Sequence, residues 1–374
     1  MYATRLHAAH ATVTVTSATR AVTDWCSRYV RPWWDAVEIP AEQICAGPLI
    51  CADVDPDQYA EVAASVTDAP NSSVMYARAH TLVARDEAEN VITAVSPDEA
   101  LAYRSEPPAG RLTIYGCDTE RVATATARLA REAMRGVLLR AGWTVLHASA
   151  AAQNERVVLT FGSKGAGKTT TAVSLAACHG WELLANDRVF VRSDHTGGVR
   201  VLPWPSAAAL GLGLLDGLGW YDVARERLEA GETLHPTQDQ QVTDALLAGS
   251  RTPLWDGNRE LKVQVFPDQF PAWFGLRMAT GGRAVALLFP RMEPDASPAL
   301  AEGGRGLSAH DFMSGKTEDR YPDVFGLARV DGGGTAEARR AVTERLAALP
   351  HHSVVLGHDV TANADFLAKL AEGA

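Results

Sequence analysis

The stretch Val157-Val158-Leu159-Thr160-Phe161-Gly162-Ser163-Lys164-Gly165-Ala166-Gly167-Lys168-Thr169-Thr170 decides the reading of the fold. An apolar run of strand length leads into Gly-x-x-x-x-Gly-Lys-Thr, and a helix is expected from about Lys168 to His179, stopped by Gly180. Strand, glycine loop and helix in that order are the context in which such a motif binds phosphate. Gly162, Gly165 and Gly167 let the backbone curl until successive N–H groups point inward, and the helix N-terminus adds positive potential. In such a loop Lys168 reaches the β- and γ-phosphates of a nucleoside triphosphate, and Thr169 offers its hydroxyl to Mg²⁺. Ser163, Lys164, Ala166 and Thr170 complete the residues expected to line the phosphates.

The loop alone names no reaction, so the residues beside it matter. His147 lies fifteen positions before Gly162, on the preceding apolar run, and Asn186-Asp187 follow the next strand, about twenty-five positions after Gly162. Strand ends that flank such a loop gather at one edge of a parallel sheet, which places Asp187 within reach of a metal or an acceptor. His147 suits acid/base work, with a buried structural histidine as the plainer alternative. Arg188 reads first as a partner for a carboxylate elsewhere.

Farther out, Arg111–Tyr115 reads as a strand, and a long helix runs from a cap at Asp118 or Thr119 to about Arg140. Trp143–Ala150 and Arg156–Phe161 read as two successive strands, and Ala284–Phe289 as a later one. Glu293–Gly306 is an exposed loop by composition. Ala336–Leu349 reads as an amphipathic helix, Ser353–Leu356 as a strand and Ala362–Ala371 as a last helix. The first hundred residues form an α+β module, with a strand at Ala11–Thr16, a helix at Ser17–Tyr29 and further strands at Ser73–Arg85 and Val91–Val95. Ser105–Gly110, rich in turn residues, is the expected linker. The expected division is therefore 1–108, an acceptor-recognition or oligomerisation domain, and 109–374, the catalytic domain.

Bulk properties exclude several classes. The chain has 374 residues, 47% of them hydrophobic, so a large core is easily built. A net charge of −10 and the lack of any long Lys/Arg run speak against a nucleic-acid partner. No apolar stretch reaches membrane-spanning length and no signal peptide opens the chain, so a cytoplasmic protein without a membrane partner is expected. Cys26, Cys45, Cys51, Cys117 and Cys178 form neither a zinc-type spacing nor an even disulfide set. His351, His352 and His358 lack ligand spacing, and the tryptophans Trp33, Trp34, Trp204, Trp220, Trp255 and Trp273 read as core before pocket lining.

Leu146-His147-Ala148-Ser149-Ala150, the glycine loop, Cys178-His179-Gly180 and Leu183-Leu184-Ala185-Asn186-Asp187-Arg188-Val189 together resemble the catalytic domain of HPr kinase/phosphorylase and its wider group of serine kinases, lasso-peptide-type kinases included. A weaker likeness returns at Gly281-Gly282-Arg283-Ala284-Val285-Ala286. The resemblance covers roughly Arg111 to Phe289 and leaves the first hundred residues unmatched. It implies an α/β fold of the HPr kinase/phosphoenolpyruvate carboxykinase type with an N-terminal α+β domain. It also implies ATP and Mg²⁺, transfer to a hydroxyl, and a homo-oligomer. Carried over residue by residue, it implies that Lys168 and Thr169 hold phosphate and metal, Asp187 is the second member of an acidic pair, His147 lies near the acceptor and Arg283 steadies phosphate or acceptor. Two departures stand out: Asn186 replaces the first acid of the pair, and an amide takes no proton at neutral pH; Lys164 replaces a serine. The resulting expectation is an ATP-dependent kinase acting on a small-molecule alcohol, such as a nucleoside or sugar-type biosynthetic intermediate, or on a peptide serine. The rival is a nucleotide-dependent switch or ATPase whose acceptor is water.

Overall fold

The computed structural model describes residues 1–44, 47–313, 322–330 and 333–373, so Cys45 lies outside the described residues. By contacts the chain forms two units, Met1–Thr144 with Met313–Ala336, and Val145–Phe312 with Glu337–Ala374. No helix among the described residues is long and apolar enough to cross a membrane.

The first unit holds strands β1 (Tyr2–Ala8), β2 (Ala11–Ser17), β3 (Asp35–Glu38), β4 (Leu49–Val54), β5 (Asn71–Tyr76), β6 (Ala79–Asp86), β7 (Val91–Ser96), β8 (Leu101–Glu106) and β9 (Arg111–Gly116). Its helices are α1 (Arg20–Val30), α2 (Pro56–Asp68) and α3 (Thr119–Arg140). The sheet runs β3-β1-β2-β4-β9-β8-β7-β6-β5. Leu6, Val13, Ile50, Leu112 and Ile114 are fully buried at its centre. Asp118 caps α3, its carboxylate accepting from the Arg121 amide at 2.9 Å.

Two expectations are corrected here. Ser105–Gly110 is no linker: Glu106 pairs with Arg111, so Pro107, Pro108 and Gly110 turn the β8–β9 hairpin, Gly110 at φ 64°. The boundary at residue 108 also moves. β9 pairs β4 and β8 inside the first sheet, and the late segment returns to the same unit, the Ser105 hydroxyl donating to the Phe325 carbonyl at 2.7 Å.

The second unit holds β10 (Thr144–Leu146), β11 (Ser149–Gln153), β12 (Arg156–Thr160), α4 (Lys168–Cys178), β13 (Glu182–Ala185), β14 (Val189–Ser193) and β15 (Val199–Pro203). Then come β16 (Ala208–Leu210), α5 (Leu212–Gly217), α6 (Tyr221–Glu229), α7 (Gln240–Leu247), β17 (Leu254–Asp256), β18 (Arg259–Leu261), β19 (Val263–Val265) and α8 (Gln269–Phe274). β20 (Gly282–Met292), β21 (Ala299–Leu300), α9 (Ala336–Ala347), β22 (His351–Leu356) and α10 (Val360–Glu372) complete it. Trp143–Ala150, read as one strand, is two, because His147 and Ala148 break it and carry the chain to another place in the sheet.

The main path of this sheet is β10-β14-β15-β20-β12-β11-β13, with β22 also paired to β20. It is mixed rather than parallel: β12 runs parallel to β20, whereas β11 runs antiparallel to both β12 and β13. It is also folded on itself. β13 and β14 stand five strand spacings apart, about 24 Å on a flat sheet. Yet the chain passes from Ala185 to Val189 in four Cα steps, at most about 14 Å. β10 and β11 meet the same constraint. The bend lies at the β15–β20 corner, where only Arg200–Arg283 and Val201–Gly282 pair. One flank contributes Val189, Val191, Val199 and Val201 to a buried cluster, and the other contributes Ala150, Val157, Leu159 and Leu287. Val342 and Leu346 of α9 join it.

Candidate functional site

This folding gathers chain crossings at one end of the unit. β12 ends at Thr160 and opens into the glycine loop, β13 ends at Ala185, β10 ends at Leu146, and β11 and β14 begin there. The residues at that end are therefore His147, the glycine loop, Asn186, Asp187, Arg188 and the Trp204–Ala207 segment after β15. Pro290 and Met292 of β20 lie beneath the loop.

The loop needs its glycines for steric reasons. A Cβ on Gly162 would stand 2.7 Å from the Ala166 Cβ. Gly167, the N-cap of α4, has φ 97°, and a Cβ there would meet the Met292 sulfur at 2.7 Å. No side chain caps α4, so its first amides are left for something else to satisfy. Ser163, Lys164 and Gly165 form an exposed crest, and Ala166, Lys168, Thr169 and Thr170 are half-buried. The Lys168 ammonium donates to the Gly162 carbonyl at 2.8 Å and to the Ser163 carbonyl at 3.2 Å, folding back across the loop. The Ser149 hydroxyl of β11 donates to the Lys168 carbonyl and pins the helix start to the sheet.

The Thr169 hydroxyl donates to the Asn186 main-chain oxygen at 3.1 Å, joining the first turn of α4 to the end of β13. With its proton committed there, its lone pairs are left for a cation. Asp187, the residue after Asn186, is half-exposed and stands 3.8 Å from the Arg188 Nε, too far for a hydrogen bond. Asn186 is 4% exposed. Its Oδ1 accepts from the Ser206 hydroxyl at 2.9 Å, and its Nδ2 donates to the Ala207 carbonyl at 3.2 Å. The amide thus ties the end of β13 to the segment leading into β16. Its side chain is engaged in structure, and only its main-chain oxygen faces the helix. His147 is held by its amide, which donates to the Asp311 carbonyl at 2.8 Å, and its Nε2 is sealed from solvent.

Arg283 is not part of this gathering. It pairs with Arg156 at the start of β12, the end of the sheet away from the loop, five residues or roughly 17 Å along the strand from Thr160's partner Leu288. There it donates to Asp194 Oδ2 and to the Thr196 hydroxyl, both at 2.8 Å, bracing the β14–β15 turn. The Thr196 hydroxyl first, then the Gly198 and Thr196 amides and the charge of Arg283, outweigh burial and hold Asp194 below its ordinary carboxylate value. The arginine present at the loop end is Arg188. Its signal in the sequence was adjacency to Asp187. The tryptophans are mostly core, Trp33, Trp34 and Trp204 being at most 2% exposed, while Trp255 is 62% exposed on the β17–β18 hairpin.

No family model and no curated protein matches the chain. Among solved structures, the chain is similar to the Hpr(Ser) kinase/phosphatase from Coxiella burnetii, at 14% identity with a TM-score of 0.21. The match covers 42% of this chain and 65% of that one. A score that low carries no argument, and the functional reading rests on the residues themselves.

Proposed function

We propose that the second unit is a P-loop phosphotransferase that binds Mg²⁺–ATP on the glycine loop and passes the γ-phosphate to a hydroxyl. The observation that supports this is the bond from Thr169 to the Asn186 main-chain oxygen, which fastens the start of the loop helix to the strand end that Asp187 follows. The donor set fits the groups implied. Uncapped amides, the Lys168 ammonium and a glycine at each close approach suit a triphosphate; the Thr169 hydroxyl and the half-exposed Asp187 carboxylate suit a hard cation. Mg²⁺, if held by the Thr169 hydroxyl and the Asp187 carboxylate, would supply charge neutralisation for the phosphoryl group. The loop orients the phosphates, Lys168 balances the charge that builds on them, and Asp187 or His147 takes the hydroxyl proton. The loose transition state of phosphoryl transfer asks little of a base, so an amide at Asn186 is compatible with turnover. The acceptor class is a small-molecule or peptide alcohol, in a cytoplasmic setting and in a chain able to form homo-oligomers.

The test is mass spectrometry of Mg²⁺–ATP reactions against metabolite and peptide extracts of the source cell. A species heavier by one phosphoryl group, formed by the wild type alone and not by a Lys168 variant, is the expected result. Asp187→Asn is expected to lower transfer by about 10²-fold while nucleotide affinity in Mg²⁺ falls far less, as calorimetry would show. Arg283→Ala is expected to leave turnover nearly unchanged and to cost at most about 1 kcal/mol in urea unfolding, since its side chain is half-exposed. A loss of transfer in that variant would return Arg283 to the site.

The structural engagement of the Asn186 amide favours a second reading, a nucleotide switch that hydrolyses ATP slowly. Stoichiometry separates the two: a kinase yields ADP and a phosphorylated acceptor, a switch yields ADP and free phosphate.

A further inference from the structure

Among the described residues of the second unit, Arg188 is a largely buried cation without a hydrogen-bond acceptor. Its side chain is only 12% exposed, yet its one ionic neighbour, Asp187, stands 3.8 Å from Nε. Nε is fully buried without a hydrogen-bond partner, and no other hydrogen bond is made by this guanidinium among the described residues. A guanidinium carries five N–H donors, and burying one without acceptors costs free energy unless something else supplies them. Packing fixes it in place: its Cζ lies 5.7 Å from the Trp204 ring centroid, and Trp204 stacks on Phe190 at 5.0 Å. The group is therefore held ready without being satisfied.

Its position says what would satisfy it. The glycine loop belongs to the flank containing β12, whereas Trp204 follows β15 on the other flank of the folded sheet. Asn186-Asp187-Arg188 is the crossing between them: the main-chain oxygen of Asn186 accepts from Thr169 at the start of the loop helix, and two residues on Arg188 packs over Trp204. Phosphoryl transfer needs the attacking and leaving oxygens in line on opposite sides of phosphorus. If the donor phosphates lie on the loop, Arg188, two residues beyond the carbonyl that Thr169 bonds, is a cation left over for the acceptor. We infer that Arg188 grips an anionic group, carboxylate or phosphate, on the acceptor, whose substrate class is then an acid-bearing alcohol. The planar fork matches either oxyanion with two parallel bonds. This inference rests on the phosphotransferase reading and narrows its substrate.

The experiment uses the full chain saturated with Mg²⁺ and a non-hydrolysable ATP analogue, which occupies the loop and the γ-phosphate position. Inorganic phosphate and, separately, acetate are then titrated by calorimetry into the wild type, Arg188→Gln and Arg188→Lys. The expected result is that at least one anion binds the wild-type complex and binds about tenfold or more weakly to Arg188→Gln, with Arg188→Lys between them and analogue affinity unchanged. Which anion binds tells a phosphorylated acceptor from a carboxylic one. Anion binding that appears with Mg²⁺–ADP but vanishes with the analogue would assign Arg188 to the γ-phosphate and overturn the inference, as would equal anion binding by wild type and Arg188→Gln. Failure of the wild type to bind the analogue would instead overturn the nucleotide reading. Matched melting curves for the three chains exclude misfolding as the cause of a lost signal.

Discussion

Lys168→Ala is expected to lower ATP turnover by roughly 10³-fold, the largest single effect on activity among the residues of the loop end. The ammonium is the one cationic group that the loop folds across itself, donating to the Gly162 and Ser163 carbonyls. Those carbonyls belong to the same turn that would surround the phosphates, so a short swing takes the amine from backbone oxygen to phosphate oxygen. Alanine removes the charge and leaves the turn. Stability should change little, by about 1 kcal/mol or less, because the crest beside it is exposed and water can replace the lost donor. ADP release by coupled assay and melting curves on the same samples separate the two effects. An alanine variant that turns over ATP at the wild-type rate would place any phosphate chemistry somewhere other than this loop. The experiment does not choose between kinase and switch, because both need the phosphates held; the fate of the phosphoryl group does that.

How much of this was legible in the sequence depends on how local the determining physics was. The β12–loop–α4 unit is fixed by glycines at short range, and α3 announces itself through Asp118 and a long alanine- and leucine-rich run. α9 and α10 follow from their periodicity. Ser73–Arg85, read as one strand, is the β5–β6 hairpin. Its turn uses Ala77 and Arg78 at φ 53° and 74°, residues that carry no turn signal because neither is the Gly, Asn or Asp that positive φ normally selects. The break at His147-Ala148 was hidden for a similar reason, an apolar run with no turn residue. For β4 and α2 the signals existed, since Asp55 accepts from the Gln58 amide as N-cap and Pro56 opens the helix.

The candidate site divides along the same line. His147, Asn186 and Asp187 lie at strand ends that adjoin the loop in sequence, and the fold brings those ends together. Arg283 shows what spacing cannot convey, namely which end of a strand a residue occupies. It begins β20, and because β20 runs parallel to β12, its start lies at the end opposite the loop. The unit boundary was equally out of reach, since residues 322–330 return to the first unit through contacts some two hundred positions apart in sequence, such as Ser105 to Phe325.

Asn186→Asp, which would restore the acidic pair of the family the sequence resembles, is expected to harm the protein rather than improve it. One carboxylate oxygen can still accept from the Ser206 hydroxyl, as Oδ1 does now at 2.9 Å. The other would replace a donor with an acceptor facing the Ala207 carbonyl at 3.2 Å, at a position 4% exposed. An uncompensated buried acceptor and charge cost about 2–4 kcal/mol, enough to lower the urea midpoint clearly. The sign of the pH dependence follows. Burial and the facing carbonyl raise the new carboxyl's pKa in the folded state above its unfolded value near 3.9, because only the protonated form can donate to Ala207. Between those two values the folded state binds more protons than the unfolded one, so stability falls as pH rises through that window. The gap between variant and wild type should therefore be small at acid pH and widest at neutral pH, once the carboxyl is charged in both states. Ser206→Ala, which removes one neutral partner and adds no charge, should cost about 1 kcal/mol without that pH trend. If Asn186→Asp instead matched the wild type in urea and transferred phosphate faster, the side chain at this position would have to face the nucleotide rather than the Ser206–Ala207 segment. The amide would then be a lost base. As the bonds stand it is a clasp, one that holds the end of β13 to the Ser206–Ala207 segment.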